Sequence, residues 1–513
     1  MSGEFGGRCP ADAGFATKCL LGGQQPDPSS GARVPPIVQN TGYVFKGTDD
    51  AADKFNLAAF GPIYSRLGNP TNDALEAKIA ALEGGMACLT VASGHAAQHL
   101  AFSNLMEAGD NFVTTNKLYG GSVTQFNRLF EQFGWEARFC AVDDYAAIEK
   151  AIDDKTKAVY CESISNPEGM MMDLKKIADI AHAKGLPLIV DNTSATPYLC
   201  RPFEHGADIV VHSLTKFMNG HGNALGGAIV EKGDFNWGAN PDKFPILAKP
   251  CDSYHGMVFY DVFGKDGPVA EMFGTKGKTG MSFAIAARAL GLRDAGPSMA
   301  PMNAFLINTG IETLPLRMAK HCSNAMAVAE FLAGHEKVAA VSYTGLPSNK
   351  NNSLIKQYCP NGSGSLFTFS LKGGFEAAKQ VVNNVKMISL VANLGDCRTL
   401  VAHPASMMHR QLNEEQQKAA GASAEVIRLT VGLEDPEDII ADLKQALDGI
   451  DGGDVPDALT EFGGRCPENA QFGTKCLLGG QQPDPSSGAR VPPVCFSTGF
   501  NFKGTSDAAD KFN

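Results

Sequence analysis

Lys216 closes the run His212-Ser213-Leu214-Thr215-Lys216, directly after the apolar DIVV of 208–211 and just before the glycine-rich NGHGNALGG of 219–227. An amine placed against a buried strand loses hydration, which lowers its basicity and suits it to attack a carbonyl or move a proton. The glycines let the chain pass close to a ligand. On an extended chain Ser213 and Thr215 point to the same side, so two hydroxyls can reach one phosphate beside that amine. Asp191 closes LPLIV (186–190), and Ser93-Gly94-His95 follows MACLTVAS (86–93) and opens a helix whose first amides suit an anion. Each piece alone has a plainer reading. A lysine usually belongs to a solvated face, Ser-Gly before a helix is usually a cap, and an acid after a strand caps a turn as readily as it serves a site.

Taken together, the three strand ends ask for a molecule with a phosphate for the hydroxyls and helix amides, an aldehyde for the lysine, and a ring nitrogen for the carboxylate. Pyridoxal 5′-phosphate (PLP) carries all three, and an acid on its pyridine nitrogen keeps the ring an electron sink.

The elements that must position these residues follow from periodicity. Thr71 or Asn72 is expected to cap a helix whose Leu75, Ile79 and Leu82 share a face and which Gly84 ends. Short apolar runs then alternate with amphipathic ones. The strand-like runs are MACLTVAS, NFVTT (111–115), ARFCAV (137–142), KAVYCESI (157–164), LPLIVDN (186–192), DIVVHS (208–213) and GGAIVEK (226–232). Helices are expected near 122–133, 144–152 and 173–185. Near-continuous apolar strands separated by helices predict an α/β fold with a mainly parallel sheet covered on both faces. Ligands of such sheets sit beyond the carboxyl ends of the strands, where the polar residues named above lie.

Bulk composition narrows the function classes. With 44 Lys+Arg against 55 Asp+Glu the net charge is −11, so no basic field draws in nucleic acid or an anionic membrane. The longest apolar stretches are strand-sized and the N-terminal residues lack a charged-then-apolar run, so no membrane span or secretory leader is expected. Thirteen cysteines without CxxC pairs fit reduced core thiols and a cytoplasmic location better than a disulfide framework, and neither they nor the eleven histidines have metal spacing.

Residues 461–513 repeat residues 4–56 at an offset of 457, with 42 of 53 positions identical. One long period in two copies is a partial duplication, not a solenoid. The linker DGIDGGDVPDALTE (448–461) marks the boundary before the second copy. The expected organisation is an N-terminal arm (1–63), a large cofactor-binding domain (64–295), a small C-terminal domain (296–450), and a linker with the duplicate arm (451–513).

The ordered motifs YSRLGNPT (64–71), SGHAAQ (93–98), LYGGS (118–122), VDNT (190–193), HSLTK (212–216) and VIRLTVGLE (426–434) resemble those of the Cys/Met-metabolism family of fold-type I PLP enzymes, over roughly residues 15–450. Six motifs in one order leave coincidence a poor explanation. The resemblance implies a fold-type I transferase with a smaller α+β C-terminal domain and an extended N-terminal arm. It implies Lys216 as Schiff-base lysine and general base, Asp191 on the pyridine nitrogen, and Tyr119 stacked on the ring and assisting proton transfers. Ser93 and the amides of Gly94 and His95 hold the phosphate together with the hydroxyls of Ser213 and Thr215. Tyr64 and Arg66 reach the phosphate in a neighbouring subunit's site, making a homodimer the minimum active unit and a homotetramer usual. Arg428 grips the substrate carboxylate, with Asn166 and Asn393 in support. Read alone, Tyr119 is a core residue, Arg66 a surface one and Arg428 an ion-pair partner. The imidazole of His95 has no assigned task, and His212 reads as a packed strand-end residue.

The same resemblance implies γ-replacement on O-acetyl-L-homoserine, with sulfide giving homocysteine or methanethiol giving methionine. Gly121 stands where methionine γ-lyases carry a cysteine, and 243–259, 301–318 and 393–409 resemble the sulfide-adding branch. Methionine or cystathionine γ-lyase and cystathionine γ-synthase are the alternative activities; a non-catalytic assembly protein is a more distant one. A nicotinamide enzyme fits poorly, since no GxGxxG follows the first strand. The stretch 263–283 is extended beside the family pattern and is expected to alter access to the site. The second arm ends before any Tyr-x-Arg and so cannot supply a second phosphate clamp. It either docks on a surface like the first arm's, competes with that arm, or is a passive remnant.

Overall fold

The structure, a computed structural model, describes residues 8–27, 30–407, 410, 413–451, 463–485 and 487–492. Seven strands form the main sheet: β1 (Ala87–Val91), β2 (Asn111–Thr115), β3 (Glu136–Cys140), β4 (Thr156–Glu162), β5 (Leu188–Asp191), β6 (Ile209–Ser213) and β7 (Gly227–Glu231). Their order is β1-β7-β6-β5-β4-β2-β3. From β3 to β6 every pairing is parallel, and β7 runs against both neighbours. The mainly parallel expectation holds for this mixed sheet; only β7 is reversed, which apolar runs cannot reveal because they carry no direction. Every residue of β4 is buried, as expected of a strand covered on both faces. Val190 packs with Leu75, Ile79 and Ile177 on one face, while Ile189 packs with Phe102, Phe126 and Phe283 on the other.

Beyond it lies a five-stranded sheet: β8 (Val338–Ser342), β9 (Leu366–Leu371), β10 (Ser389–Leu390), β11 (Leu400–Ala402) and β12 (Val426–Thr430), in the order β10-β11-β12-β9-β8. It packs its own core of Phe367, Phe369, Ile427 and Leu443.

Local chemistry corrects two expectations. The helix Pro70–Glu83 is capped by Asn69, not by Thr71 or Asn72: the Asn69 side chain accepts from the Thr71 amide at 2.9 Å, with Pro70 in the first turn. Thr71 serves elsewhere, donating to Pro36 O (2.8 Å) and accepting from Val38 N (2.9 Å), which ties the first arm down. The helix expected at 122–133 begins at Gly120 and becomes a π-helical turn at Gln125–Phe130. Phe126 and Phe130 of that turn pack on Phe102 at 5.6 and 5.4 Å between ring centroids.

The helix Phe15–Leu21 of the first arm packs on Pro70–Glu83, Pro301–Glu312 and Leu314–Ala333. The stretch 263–283 lies beside the first arm, with Phe273 edge-on to Phe60 at 6.0 Å. None of its described residues lines the cavity described below, so the expected effect on access does not arise from direct lining. Among the described residues, no helix is long and apolar enough to cross a membrane.

Candidate active site

A cavity of about 190 Å³ opens where the carboxyl ends of β4, β5 and β6 meet the start of the helix Gly94–Ser103. Ser93, Gly94, His95, Tyr119, Asn166, Asp191, Ser213, Thr215, Lys216, Asn393 and Arg428 all line it. The polar strand ends converge there because parallel strands present their carboxyl ends on one edge of the sheet.

One wall is built for an anion. Ser93 caps the helix, accepting from Ala96 N at 3.2 Å, so the amides of the first turn remain directed outward. Gly94 lies so close to β6 that a Cβ there would come within 2.7 Å of Ser213 Cβ. Helix start and strand end therefore form one cradle. The Thr215 hydroxyl accepts from Gly226 N (3.0 Å) and donates to Gly226 O at a longer 3.3 Å, the weaker bond to exchange for a ligand oxygen.

Asp191 faces the cavity with its carboxylate held on both sides. Thr193 N donates to Oδ1 (2.9 Å), and Gln98 Nε2 and the Tyr160 hydroxyl donate to Oδ2 (3.3 Å each). Lys216 donates from Nζ to Asn393 Oδ1. Burial, with the positive charge of Arg428 adding to it, lowers the Lys216 ammonium from 10.5 to about 8. Arg428 is 3% exposed. It donates to Asn166 Oδ1 (3.2 Å) and to Asn393 O (2.6 Å), and burial pulls it down to about 10. Asn393 thus stands between the two cations, its side chain on one and its carbonyl on the other.

Tyr119 is 37% exposed at the rim, with the His95 ring edge-on at 5.9 Å. Among the described residues, no hydrogen bond of the His95 imidazole accompanies that ring contact. His212 is fully buried, Nε2 to Glu83 Oε1 at 2.6 Å, and faces away from the cavity chemistry. Tyr64 and Arg66 do not line the cavity. Tyr64 is 44% exposed, and Arg66 stacks on it at 5.5 Å while donating to Arg293 O.

Several residues here escaped the sequence reading. Glu162 lines the cavity and accepts from Tyr119 N (2.6 Å) and Asn166 N (3.0 Å); burial and then the Asp191 charge push its carboxyl well above the ordinary range. Its signal was present: it closes a buried strand as Asp191 does. Gln98 sits inside the SGHAAQ motif. Arg317 has no such signal. It holds the turn after Lys216 by donating to Phe217 O and Gly310 O, both at 2.8 Å, from a helix a hundred residues on.

The donor set matches PLP: a hydroxyl and amide cradle, a fixed carboxylate and a weakly basic amine stand around one cavity, with a buried guanidinium whose planar fork has the geometry to bind a carboxylate.

Comparison with known proteins agrees with this geometry. Residues 16–448 match the Cys/Met metabolism PLP-dependent enzyme family. The chain is 45% identical over 451 residues to an O-acetyl-L-homoserine sulfhydrylase of Leptospira meyeri, covering 88% of this chain and 100% of the relative. It is 44% identical over 435 residues to a homocysteine synthase of Schizosaccharomyces pombe, covering 85% and 98%. A crystal structure from Campylobacter jejuni, assigned as an O-acetylhomoserine (thiol)-lyase and carrying a pyridoxyl-lysine monophosphate, superposes with a TM-score of 0.80 at 42% identity, covering 85% of this chain and 100% of that one.

Proposed function

Since the chain belongs to the Cys/Met metabolism PLP-dependent enzymes, we propose that it is a transferase of methionine and cysteine biosynthesis that replaces the γ-acetoxy group of O-acetyl-L-homoserine with a thiol. Sulfide gives homocysteine and acetate; methanethiol gives methionine and acetate. The observation that carries this reading is the pairing of Lys216 and Arg428 across Asn393 in the cavity, in a chain that matches O-acetylhomoserine sulfhydrylases over nearly their whole length.

Bound PLP supplies the electron sink that makes protons at the α and β carbons of an amino acid removable. The protein supplies the rest. Arg428 binds the substrate α-carboxylate through its planar fork, releasing Asn166 and the Asn393 carbonyl as it does so. Lys216, with an ammonium lowered to about 8, is neutral often enough near physiological pH to take the α-proton and return it. Asp191 holds its charge toward the pyridine nitrogen, fixed by Thr193, Gln98 and Tyr160. Ser93, Gly94, His95, Ser213 and Thr215 take the phosphate. Tyr119 covers the ring and assists proton transfer at the cavity mouth.

The reading extends to the assembly and its location. Tyr64 and Arg66, outside their own cavity and partly exposed, serve the phosphate of a neighbouring subunit in a homodimer, two of which form a tetramer in the cytoplasm. The test is an activity panel: O-acetyl-, O-succinyl- and O-phospho-L-homoserine, each with and without sulfide. Homocysteine and acetate from the acetyl ester are expected. Dominant release of 2-oxobutyrate, with or without sulfide, would make the enzyme a γ-lyase instead.

A further inference from the structure

The described residues of the second arm copy, 463–485 and 487–492, dock on the small domain, and not by the face the first copy uses. Residues 463–492 differ from residues 6–35 only at Ala11/Glu468, Asp12/Asn469, Gly14/Gln471 and Ala16/Gly473. In the first copy the helix Phe15–Leu21 buries Cys19 and sets Phe15 against Tyr198 at 5.7 Å. In the second, the helix Phe472–Leu478 buries Thr474 and Leu478 and leaves Phe472 83% exposed. Gly473 N donates to Asp435 Oδ2 (2.7 Å) and Gln471 N to Asp438 Oδ2 (2.8 Å), while the Thr474 hydroxyl accepts from Asp435 N (3.1 Å). A Cβ at position 473, such as Ala16 carries, would stand 3.0 Å from both carboxylate oxygens of Asp435. One of the few differences between the copies thus eases this docking.

From that anchor the segment runs to the active-site loop. Gln481 Oε1 accepts from Arg398 Nη2 at 3.5 Å, and Arg490 Nε donates to Ser389 Oγ at 2.9 Å. Ser389 and Thr399 are the two ends of that loop, joined by Ser389 N to Thr399 O (3.2 Å). Between them the loop lies on the turn after Lys216, Cys397 N donating to Gly220 O (2.7 Å), and presents Asn393 to Lys216 and Arg428. Arg490 therefore bears on the outer side of a loop whose inner side forms the substrate cavity. It is part-buried there, where desolvation and then the nearby Arg398 charge pull its guanidinium down to about 10 against the opposing pull of the Asp396 and Glu434 carboxylates.

We propose that Arg490 is a positioning residue: from the duplicated arm it clamps the Ser389–Thr399 loop and so fixes Asn393 between the amine and the carboxylate-binding guanidinium. The duplicate is then a working part of the enzyme and not a remnant. The link to substrate rests on the role given above to Arg428; the clamp itself does not.

The experiment compares full-length holoenzyme with Arg490→Ala, Ser389→Ala and the double variant, by hydrogen exchange and by steady-state kinetics. Amides of 391–399 are expected to exchange on the order of tenfold faster in each single variant, with β4–β6 unchanged. The KM for O-acetyl-L-homoserine rises about tenfold, kcat moves less than about twofold, and the double variant adds nothing further. Native exchange in 391–399, or a uniform rise across both sheets, overturns the clamp. Faster loop exchange with an unchanged KM overturns the coupling to Asn393. Absence of turnover on this substrate in the unsubstituted protein would refute the proposed activity and leave the exchange result to judge the clamp.

Discussion

Glu162 and Asp191 are register partners on the adjacent parallel strands β4 and β5, yet their carboxylates are held by different donors. Glu162 takes two backbone amides, of Tyr119 and Asn166, while Asp191 takes one amide and two side chains. The first fixes two loops that border the cavity; the second is left facing into it. Two neighbouring acids thus divide the work, one on the scaffold and one toward the cavity.

Glu162→Gln tests that division. The amide keeps the volume but turns one acceptor into a donor facing Tyr119 N or Asn166 N. Losing a buried hydrogen bond and setting donor against donor, a cost of about 1–3 kcal/mol, predicts a fall in kcat/KM of roughly fivefold to a hundredfold. The circular dichroism of the bound cofactor should change with it, because the Tyr119 loop moves. An unchanged spectrum and unchanged kinetics would deny Glu162 this part.

The lowered Lys216 ammonium gives a pH dependence with a definite sign. Between about 8 and 10.5 the folded cofactor-free protein binds fewer protons at this group than the unfolded chain. This group's contribution to stability therefore rises with pH through that window. Cofactor attachment needs the neutral amine, so the rate at which PLP absorbance develops should climb with a midpoint near 8. Arg428→Met removes the second cause of the shift, and the midpoint should move upward. A midpoint that stays put in that variant contradicts the assignment.

Sharing of the site between subunits is open to complementation. Arg66→Ala and Lys216→Ala should each be nearly inactive. Mixed and allowed to exchange subunits, they form hybrid dimers with one intact site, and roughly a quarter of native activity should return. No recovery, in a mixture shown to contain hybrids, would place Arg66 in its own subunit's chemistry.

The buried Glu83 supports the sheet behind the site. Its Oε1 accepts from Asn192 Nδ2 (2.9 Å) and pairs with His212 Nε2 (2.6 Å), all fully buried. Glu83→Ala strands His212 Nε2 and leaves Asn192 Nδ2 only its bond to Cys200 O (2.9 Å), and a loss of about 3 kcal/mol in unfolding free energy is expected. Urea denaturation measures it; a change within about 0.5 kcal/mol would mean the cluster is slack.

Much of the site was legible in the sequence because its parts are local. Ser93-Gly94-His95, Asp191 and Ser213–Lys216 each follow an apolar run, and strands of a parallel sheet bring their ends to one edge. The same rule, applied once more to KAVYCESI, points to Glu162. The replacement of Thr71 by Asn69 as a cap was within reach too, since Asn before Pro is an ordinary start for a helix.

Other features have no local trace. The contact between Arg428 and Asn166 spans 262 residues, and Arg317 holds the Lys216 turn across a hundred. The duplicated arm shows the limit most plainly. Nearly the same residues present Phe15 and Cys19 to one surface and Thr474 and Leu478 to another. A sequence determines which faces a helix has and which groups end its strands, because those follow from bonded geometry and hydrophobic period. Which face is used depends on the shape and charge of the surface it meets, and only the folded chain brings that surface into place.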